Sequence, residues 1–518
     1  MKGLSKRPSS GIAGGVSGAK FEIPEEVSRV TGKLKAAGYE AYLIGGCVRD
    51  LFLGKKPKDW DVTTNATPEQ IIATFEKTFY ENSFGTVGVV DENTTDETLK
   101  VVEVTPYRTE SAYSDKRRPD AVSFSKNLED DLKRRDFTIN AIAYNAEEQK
   151  TVDLYGGLAD LSAGHIRAVG NAQERFAEDA LRTIRAVRLS AQLGFEIEAG
   201  EGNAGDKGVS SGTRKAIADE AHGLAQISKE RIRDEFIKII ESDKPAEALT
   251  LCYELGLLKY ILPELEKGRG VDQNQAHSFD VWTHLLNSLA HAAKKGFPLT
   301  VRLAALFHDI GKPDTRRWSD EKKDYTFYGH EVVGARITEK ILKDLKFPRE
   351  LAEKVVNLVR WHMFFSDTEQ ITHSAVRRMV MNVGKDNVWE LMDVRACDRI
   401  GTGRPKESPY RLRKYHSMVE EVMRDPISVG MLKIDGKRLM DVLKEPPGPR
   451  IGFILNALLE EVLEDPTKNT EEGLEKMATN MAKMSDAELR KIAVGAKEKK
   501  NAEEEKMVKE IRKKHWVE

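Results

Sequence analysis

The stretch from Tyr42 to Thr64 reads Y-L-I-G-G-C-V-R-D-L-F-L-G-K-K-P-K-D-W-D-V-T-T. It holds a Gly-Gly turn at Gly45 and Gly46, a cation at Arg49, and an Asp-x-Asp at Asp59 and Asp61. Side chains two apart on a strand point to the same face. Asp59 and Asp61 can therefore share oxygen-seeking cations, as phosphoryl transfer requires. A glycine turn leading into a helix presents backbone N–H groups to a triphosphate. An Asp-x-Asp alone more often marks a turn or a helix cap; the glycine turn and Arg49 beside it favour a nucleotide site.

Outward from this stretch, the 518 residues are 40% hydrophobic and 32% charged, enough for roughly two to four domains with real cores. A net charge of −2 argues against an indiscriminate polyanion binder, so nucleic acid must be met by local basic patches. The three cysteines, Cys47, Cys252 and Cys397, lie far apart without metal-type spacing. They read as buried or incidental thiols of a reducing compartment, hence a cytoplasmic protein. No apolar run is long enough to span a membrane. The start is rich in Gly, Ser and Lys but has no apolar face, so residues 1–21 read as a disordered tail rather than a transit peptide.

Residues 22–160 mix strand-like runs (Ala41–Ile44, Thr86–Val90, Leu99–Thr105, Ile139–Tyr144) with short helices, the pattern of an α+β head on one mixed sheet. After about residue 172 the pattern is almost entirely helical. The Gly-rich run 199–213 reads as a flexible loop insertion. From about Asp465 the chain is strongly charged with alternating signs, which suits a solvated helix better than a nucleic-acid tail.

Further stretches follow in order: V-E-V-T-P-Y-R from Val102, R-R-D-F-T-I-N-A from Arg134, V-D-L-Y-G-G from Val152, and E-D-A-L-R-T-I-R from Glu178. Together with Tyr42–Thr64 they resemble the signature of class II tRNA nucleotidyltransferases, the CCA-adding enzymes and their relatives the bacterial poly(A) polymerases. The resemblance covers roughly residues 22 to 475. It implies a DNA polymerase β-like head over residues 22–160. It also implies a helical neck over 161–269 and a body and tail over 406–475 that hold tRNA through phosphates and shape. Residues 476–518 form a charged extension. The implied activity is addition of C, C and A to the tRNA 3′ end from CTP and ATP with two Mg²⁺ ions. An A-adding-only enzyme and a poly(A) polymerase are the alternatives within the class.

Within the head, an acid amid valines needs a reason, and the resemblance makes Glu103 the third metal carboxylate after Asp59 and Asp61; the alternative is an edge-strand residue facing water. The polar loop Arg108–Asp120 matches the segment that permits the switch from C to A. Arg135, Asp136 and Asn140 match a ribose-recognition motif, and such a set can meet a hydroxyl that both donates and accepts. Asp179 and Arg182, three apart, are expected on one helical face. Cytosine and adenine both offer an amino donor beside a ring-nitrogen acceptor, matching an aspartate and an arginine. Uracil and guanine reverse that order and would leave a buried charge unpaired. Arg185 and Arg188 continue the basic face toward phosphates.

A second constellation begins near Gly270: His284, His308-Asp309 in L-F-H-D-I-G-K, His330, His362 and Asp398. Seven of the eleven histidines lie between His277 and His373, more than packing requires. This set resembles the HD phosphohydrolase superfamily over residues 270–405. It makes His284, His308, Asp309 and Asp398 ligands of Mg²⁺ or a divalent transition metal. Lys312, His330 and His362 are candidate phosphate or second-metal contacts, and His291 a core residue. The implied substrates are cyclic or terminal phosphates at RNA 3′ ends. From another class, the chain would be mainly an HD phosphohydrolase whose head only binds RNA.

Overall fold

The computed structural model describes residues 19–80, 85–110, 122–200, 212–273, 278–364, 371–424 and 428–489. The expected N-terminal tail (to residue 18), most of the Arg108–Asp120 loop, most of the Gly-rich 199–213 run, His277 and the charged extension beyond 489 lie outside them. The chain divides into two compact units, 1–263 and 264–518.

The first unit is built on a seven-stranded mixed sheet. Its strands are β1 (Ala41–Ile44), β2 (Trp60–Thr64), β3 (Thr78–Tyr80), β4 (Val87–Val90) and β5 (Val101–Pro106). A separate hairpin, β6 (Arg108–Glu110) and β7 (Val122–Phe124), precedes β8 (Ile142–Asn145) and β9 (Lys150–Asp153). The sheet order is β3-β4-β5-β2-β1-β8-β9. Only β2 and β5 pair in parallel, with Asp61 opposite Glu103; the other pairings are antiparallel. β5 is thus an interior strand, which removes the edge-strand reading of Glu103.

Local chemistry sets the flanking helices. Glu25–Ala36 begins with two acids, ends with Lys33 and Lys35, and buries Val27, Val30 and Leu34, so its dipole and its apolar stripe agree. Pro68–Thr74 starts at a capping box between Thr67 and Gln70, which satisfies end donors that would otherwise be orphaned. Asn140 lies in a 3₁₀ turn, Thr138–Asn140, so β8 begins at Ile142, three residues later than the expected Ile139.

From Ala172 the described secondary structure of the first unit is helical apart from Glu196–Ile197, which pairs in parallel with His165–Ile166. The helix expected to carry both Asp179 and Arg182 is broken. One helix ends at Glu178, Asp179 is extended (φ −143°), and the next begins at Leu181. The cause is local: the Asp179 carboxylate accepts the Leu181 N–H at 3.1 Å, a side-chain turn that competes with continuing the first helix and leads into the second.

The second unit packs the helices Val281–Lys294, Leu299–Phe307, His330–Asp344, Arg349–Trp361 and Val388–Gly401 around one core. A two-stranded hairpin, Arg317–Ser319 with Asp324–Thr326, interrupts the helices. Gly401 lets two helices approach closely: a Cβ there would lie 2.1 Å from Ser288 Oγ and 2.8 Å from the His284 carbonyl oxygen. The three cysteines are free thiols, all buried. Among the described residues, no helix is long and apolar enough to cross a membrane.

Candidate functional site

In the head, Asp61 and Glu103 sit side by side on the parallel strands β2 and β5, both half-buried. Asp59 is exposed immediately before β2. Above them the chain turns at Gly45, whose φ of 76° and ψ of −134° suit only glycine. A Cβ there would crowd Arg135 Nη1 at 3.2 Å and Asp61 Oδ2 at 3.3 Å. The glycine turn, the β2 aspartate and the R-R-D motif therefore meet at one point.

A polar chain runs from this point into the helical part. Arg49 Nη1 donates to Asn140 Oδ1 at 3.0 Å, and Asn140 Nδ2 donates to Asp136 Oδ1 at 3.3 Å. Asp136 Oδ2 accepts from Arg185 Nη1 at 2.8 Å, and Glu235 faces both Arg185 (3.5 Å) and Arg188 (3.2 Å). Burial alone would raise the Asp136 pKa, but Arg185 and Arg182 outweigh it and bring it down to about 2. The Asp136 and Glu235 carboxylates in turn hold Arg185 above its ordinary value despite burial. Arg185 and Arg188 are thus engaged with carboxylates rather than presented as an open basic face.

Asp179 and Arg182 are both largely buried. Asp179 is gripped by Arg231, Nη2 at 2.7 Å and Nη1 at 3.3 Å. Arg182 Nη1 donates to Glu178 at 2.7 Å and to the Arg175 carbonyl at 3.0 Å, and its Nη2 to the Arg134 carbonyl at 3.3 Å. The two are joined across the helix break by the Arg182 N–H, which donates to the Asp179 carbonyl at 3.0 Å; they do not share a helical face.

Sequence reasoning missed three residues here. Asp131, 0% exposed, accepts from Arg134 Nε and Nη2 through Oδ1 (2.9 and 2.6 Å). Its Oδ2 accepts from Arg135 Nη2 (3.1 Å) and from the Thr63 hydroxyl on β2 (3.2 Å). Its spacing to the two arginines is a readable helical signal. Arg231 and Glu235 carry none, because their partners lie about fifty residues away.

The second unit holds two groups of donors whose ligand atoms lie within 4.8 Å of one another: His284, His308, Asp309 and Asp398, and Asp309, His330 and His362. They are the only such groups among the described residues. Asp309 belongs to both. Its Oδ2 lies 3.0 Å from His284 Nε2 and 3.3 Å from His308 Nε2. Its Oδ1 lies 3.1 Å from His330 Nε2 and 3.5 Å from His362 Nε2. Asp398 Oδ1 closes the first group at 3.5 Å from His284. His291 stands apart, facing Glu407 at 3.6 Å.

The ring orientations fit a cation. Nδ1 of His308, His330 and His362 meets the carbonyl of Ala305, Phe327 and Val359 at 2.9, 2.7 and 2.7 Å. A proton on each Nδ1 leaves the Nε2 lone pair pointing inward, the arrangement of metal-bound imidazoles. His284 and His308 bring their Nε2 atoms within 2.8 Å, a repulsive approach of lone pairs unless a proton or cation lies between. Burial would lower the His308 pKa, but Asp309 and Asp398 raise it to about 10. His362 moves the other way, to about 4, mainly through burial. Lys312 donates to Asp309 Oδ2 at 2.6 Å and to Gln273 at 2.6 Å.

Parallel strands with paired carboxylates under a glycine turn define a nucleotidyltransferase head; the converging His and Asp donors define an HD-type metal domain. Three family models match in that order: the poly A polymerase head domain over residues 41–167, a probable RNA and SrmB-binding site of polymerase A over 209–268, and the HD domain over 275–402. The chain is 33% identical to the CCA-adding enzyme of Geobacillus thermodenitrificans over 447 residues, 85% of this chain and 93% of that protein. It is also 33% identical to the CC-adding tRNA nucleotidyltransferase of Thermus thermophilus, over 81% of this chain and 89% of that one. The Bacillus stearothermophilus CCA-adding enzyme, crystallised with CTP, matches with a TM-score of 0.64 at 28% identity, covering 89% of this chain and 98% of that one. The chain belongs to the class II tRNA nucleotidyltransferase family of CCA-adding enzymes, with an HD domain. Alignments at 40% and 46% identity, to the enzymes of Leuconostoc mesenteroides and Lactiplantibacillus plantarum, span only 66% and 52% of those relatives' length.

Proposed function

We propose that this protein completes tRNA 3′ ends by adding C, C and A from CTP and ATP without a nucleic-acid template. The observation that carries this is the register of Asp61 against Glu103 beneath the Gly45 turn. Mg²⁺ ions held by Asp59, Asp61 and Glu103 would neutralise charge on the triphosphate. The chain's own residues then position the reactants. Gly45, Gly46 and Arg49 receive the triphosphate. Arg135, Asp136 and Asn140 read the ribose. Asp179 accepts from the amino group of cytosine or adenine while Arg182 donates to the ring nitrogen. Each charged hydrogen bond is worth about 1.5–3 kcal/mol, so losing both to uracil or guanine would cost about a hundredfold or more. The domain division at 160, 269 and 405 belongs to the same proposal.

A second activity, metal-dependent hydrolysis of a phosphoester, is supported by the sharing of Asp309 between two donor groups. A carboxylate facing two donor sets suits two divalent ions, His284, His308 and Asp398 serving one, and His330 and His362 the other. Imidazole-carboxylate sets of this kind accept Mn, Fe, Ni or Zn as well as Mg.

The test supplies purified protein with Mg²⁺ and CTP, ATP or both on transcripts ending before CCA, after CC, and after CCA. Growth to CCA that then stops supports the proposal. Growth that halts at CC whatever the ATP supply would align the protein with its Thermus relative. One A on the CC-ended transcript alone would make it an A-adding partner. Unlimited A tails would make it a poly(A) polymerase, and no extension at all would overturn the nucleotidyltransferase reading.

A further inference from the structure

Four neighbouring strands of the head carry one row of directly opposed residues. Asp61 on β2 pairs with Glu103 on β5, Glu103 with Gly88 on β4, and Gly88 with Phe79 on β3. Opposed residues point to the same face of a sheet, so Phe79 stands on the face of the two carboxylates. Its strand is two spacings from β5, about 10 Å. The ring reaches back across that gap. A Cβ on Gly88 would collide with Cζ, Cε1 and Cε2 of Phe79. The far end of the ring therefore lies over β4, one strand from Glu103, and only a glycine leaves room for it there.

Phe79 is nevertheless 44% exposed. Along β5 the back face is packed, with Val102 and Val104 buried, while Glu103 and Thr105 are half-buried and Val101 is exposed on the front. Covering bare glycine backbone accounts for part of the ring's position. It does not account for Val101, an apolar side chain left open on the same face two residues from Glu103. The sheet order β3-β4-β5-β2-β1-β8-β9 sets the carboxylates between two flanks. The Gly45 turn follows β1, and Arg135, Asp136 and Asn140 precede β8, so the incoming nucleotide takes the β1–β8 flank in the reading above. In-line displacement puts the attacking oxygen opposite the leaving pyrophosphate. The RNA end then approaches from the β4–β3 flank, where Phe79 stands.

We propose that Phe79 is the platform on which the terminal base of the accepting RNA stacks, with Val101 as adjoining apolar floor. The inference rests on the nucleotide-addition reading and adds to it the residue that positions the RNA end. Stacking over β4 leaves the terminal 3′-hydroxyl above Glu103. There the 3′-oxygen bonds to the α-phosphorus as the bond to pyrophosphate breaks, and the hydroxyl proton is lost to water. A π face takes any base. That tolerance suits an end whose last base changes as each nucleotide is added, and it leaves selection to the groups that read the incoming base.

The test uses the full chain and two tRNAs ending after the second C, one intact and one with an abasic ribose in place of its last base. Rates of A addition, and RNA binding by fluorescence anisotropy without nucleotide, are measured for the parent, Phe79→Leu and Phe79→Tyr. Leucine still covers Gly88 but has no flat face; tyrosine keeps one. Phe79→Leu should raise both the KM and the Kd for intact RNA by about tenfold, the worth of one stacked base. It should leave the KM for ATP unchanged, and Phe79→Tyr should restore the parent values. On the abasic RNA, parent and Phe79→Leu should coincide. Equal losses on the two RNAs, or no loss on either, would overturn the platform while addition by the parent stands. A parent that extends neither RNA would remove the addition reading, and binding then decides the platform alone: a loss confined to intact RNA upholds it, and any other pattern overturns it.

Discussion

Asp131→Asn is the sharpest probe of the head, because it only exchanges one carboxylate oxygen of a fully buried side chain for an NH₂ group. The two carboxylate oxygens have separate duties. Oδ1 takes both bonds from Arg134, and Oδ2 takes Arg135 and the Thr63 hydroxyl. An asparagine has one oxygen, so it can keep the Arg134 fork or the Arg135 and Thr63 contacts, not both. Whichever arginine is abandoned then faces an amide NH₂ in a buried place. A lost charged hydrogen bond costs about 1.5–3 kcal/mol, and leaving a buried charge without its partner brings the sum to about 3–5 kcal/mol. At about 2–4 °C per kcal/mol for a unit of this size, the melting transition of residues 1–263 should fall by at least 6 °C in differential scanning calorimetry. Arg135 lies against the Gly45 turn and Asp61, so its displacement should raise the KM for CTP and ATP about tenfold. A shift below about 2 °C with unaltered KM would refute the claim that Asp131 positions Arg135.

The remaining expectations concern other parts of the molecule. Asp61→Ala should abolish nucleotide addition and spare phosphoester hydrolysis, while His308→Ala does the opposite; loss of both activities from either change would show that the sites are not independent. Arg182→Ala should reduce discrimination against UTP and GTP by at least about tenfold, read from single-nucleotide incorporation, and unchanged selectivity would remove the base-reading role. Asp136 is held near 2 against an ordinary 3.8; a depressed carboxylate stabilises the fold above its unfolded value and loses that contribution as pH falls toward 2. The parent should therefore lose about 2 kcal/mol between pH 5 and 2 that Asp136→Asn does not, measured by urea unfolding across that range. Gly401→Ala pushes a methyl against Ser288 and the His284 carbonyl, so it should lower the metal bound per chain, measured by elemental analysis; full metal content would refute the close-packing argument.

What could be read from the sequence was whatever local spacing encodes. Gly45-Gly46, Arg49 and the Asp-x-Asp lie within seventeen residues of one another, and Glu103 stood out as an acid among valines. The structure brings Asp61 and Glu103 side by side because β5 returns parallel to β2. His308-Asp309 and the other histidines were conspicuous because packing seldom needs so many imidazoles. The helix break at Asp179 was not legible. A carboxylate that accepts the backbone N–H two residues on looks, in sequence, the same as one that salt-bridges along a continuous helix. Arg231 and Glu235 were also invisible, since folding brings them against Asp179, Arg185 and Arg188 from about fifty residues away.

The two centres differ in how much of their geometry the fold builds in advance, and the difference follows from where the donors sit. In the second unit each anchored imidazole is tied through Nδ1 to a carbonyl three residues back on its own chain, and Asp309 is held by Lys312. Helix packing then brings all the donors of each group within 4.8 Å. Such a site is ready for resident cations, and only soft or borderline ones gain much from imidazole. The head carboxylates stand on or beside strands, with Asp59 at the solvent edge and Asp61 and Glu103 on neighbouring β2 and β5. Mg²⁺ is reluctant to dehydrate and is usually held by one or two carboxylates together with substrate phosphates. A loosely gathered acid set suits an ion that arrives with the nucleotide and leaves with the pyrophosphate. A tightly gathered His and Asp set suits an ion that stays. One chain would thus place a turnover site in one compact unit and a standing metal centre in the other.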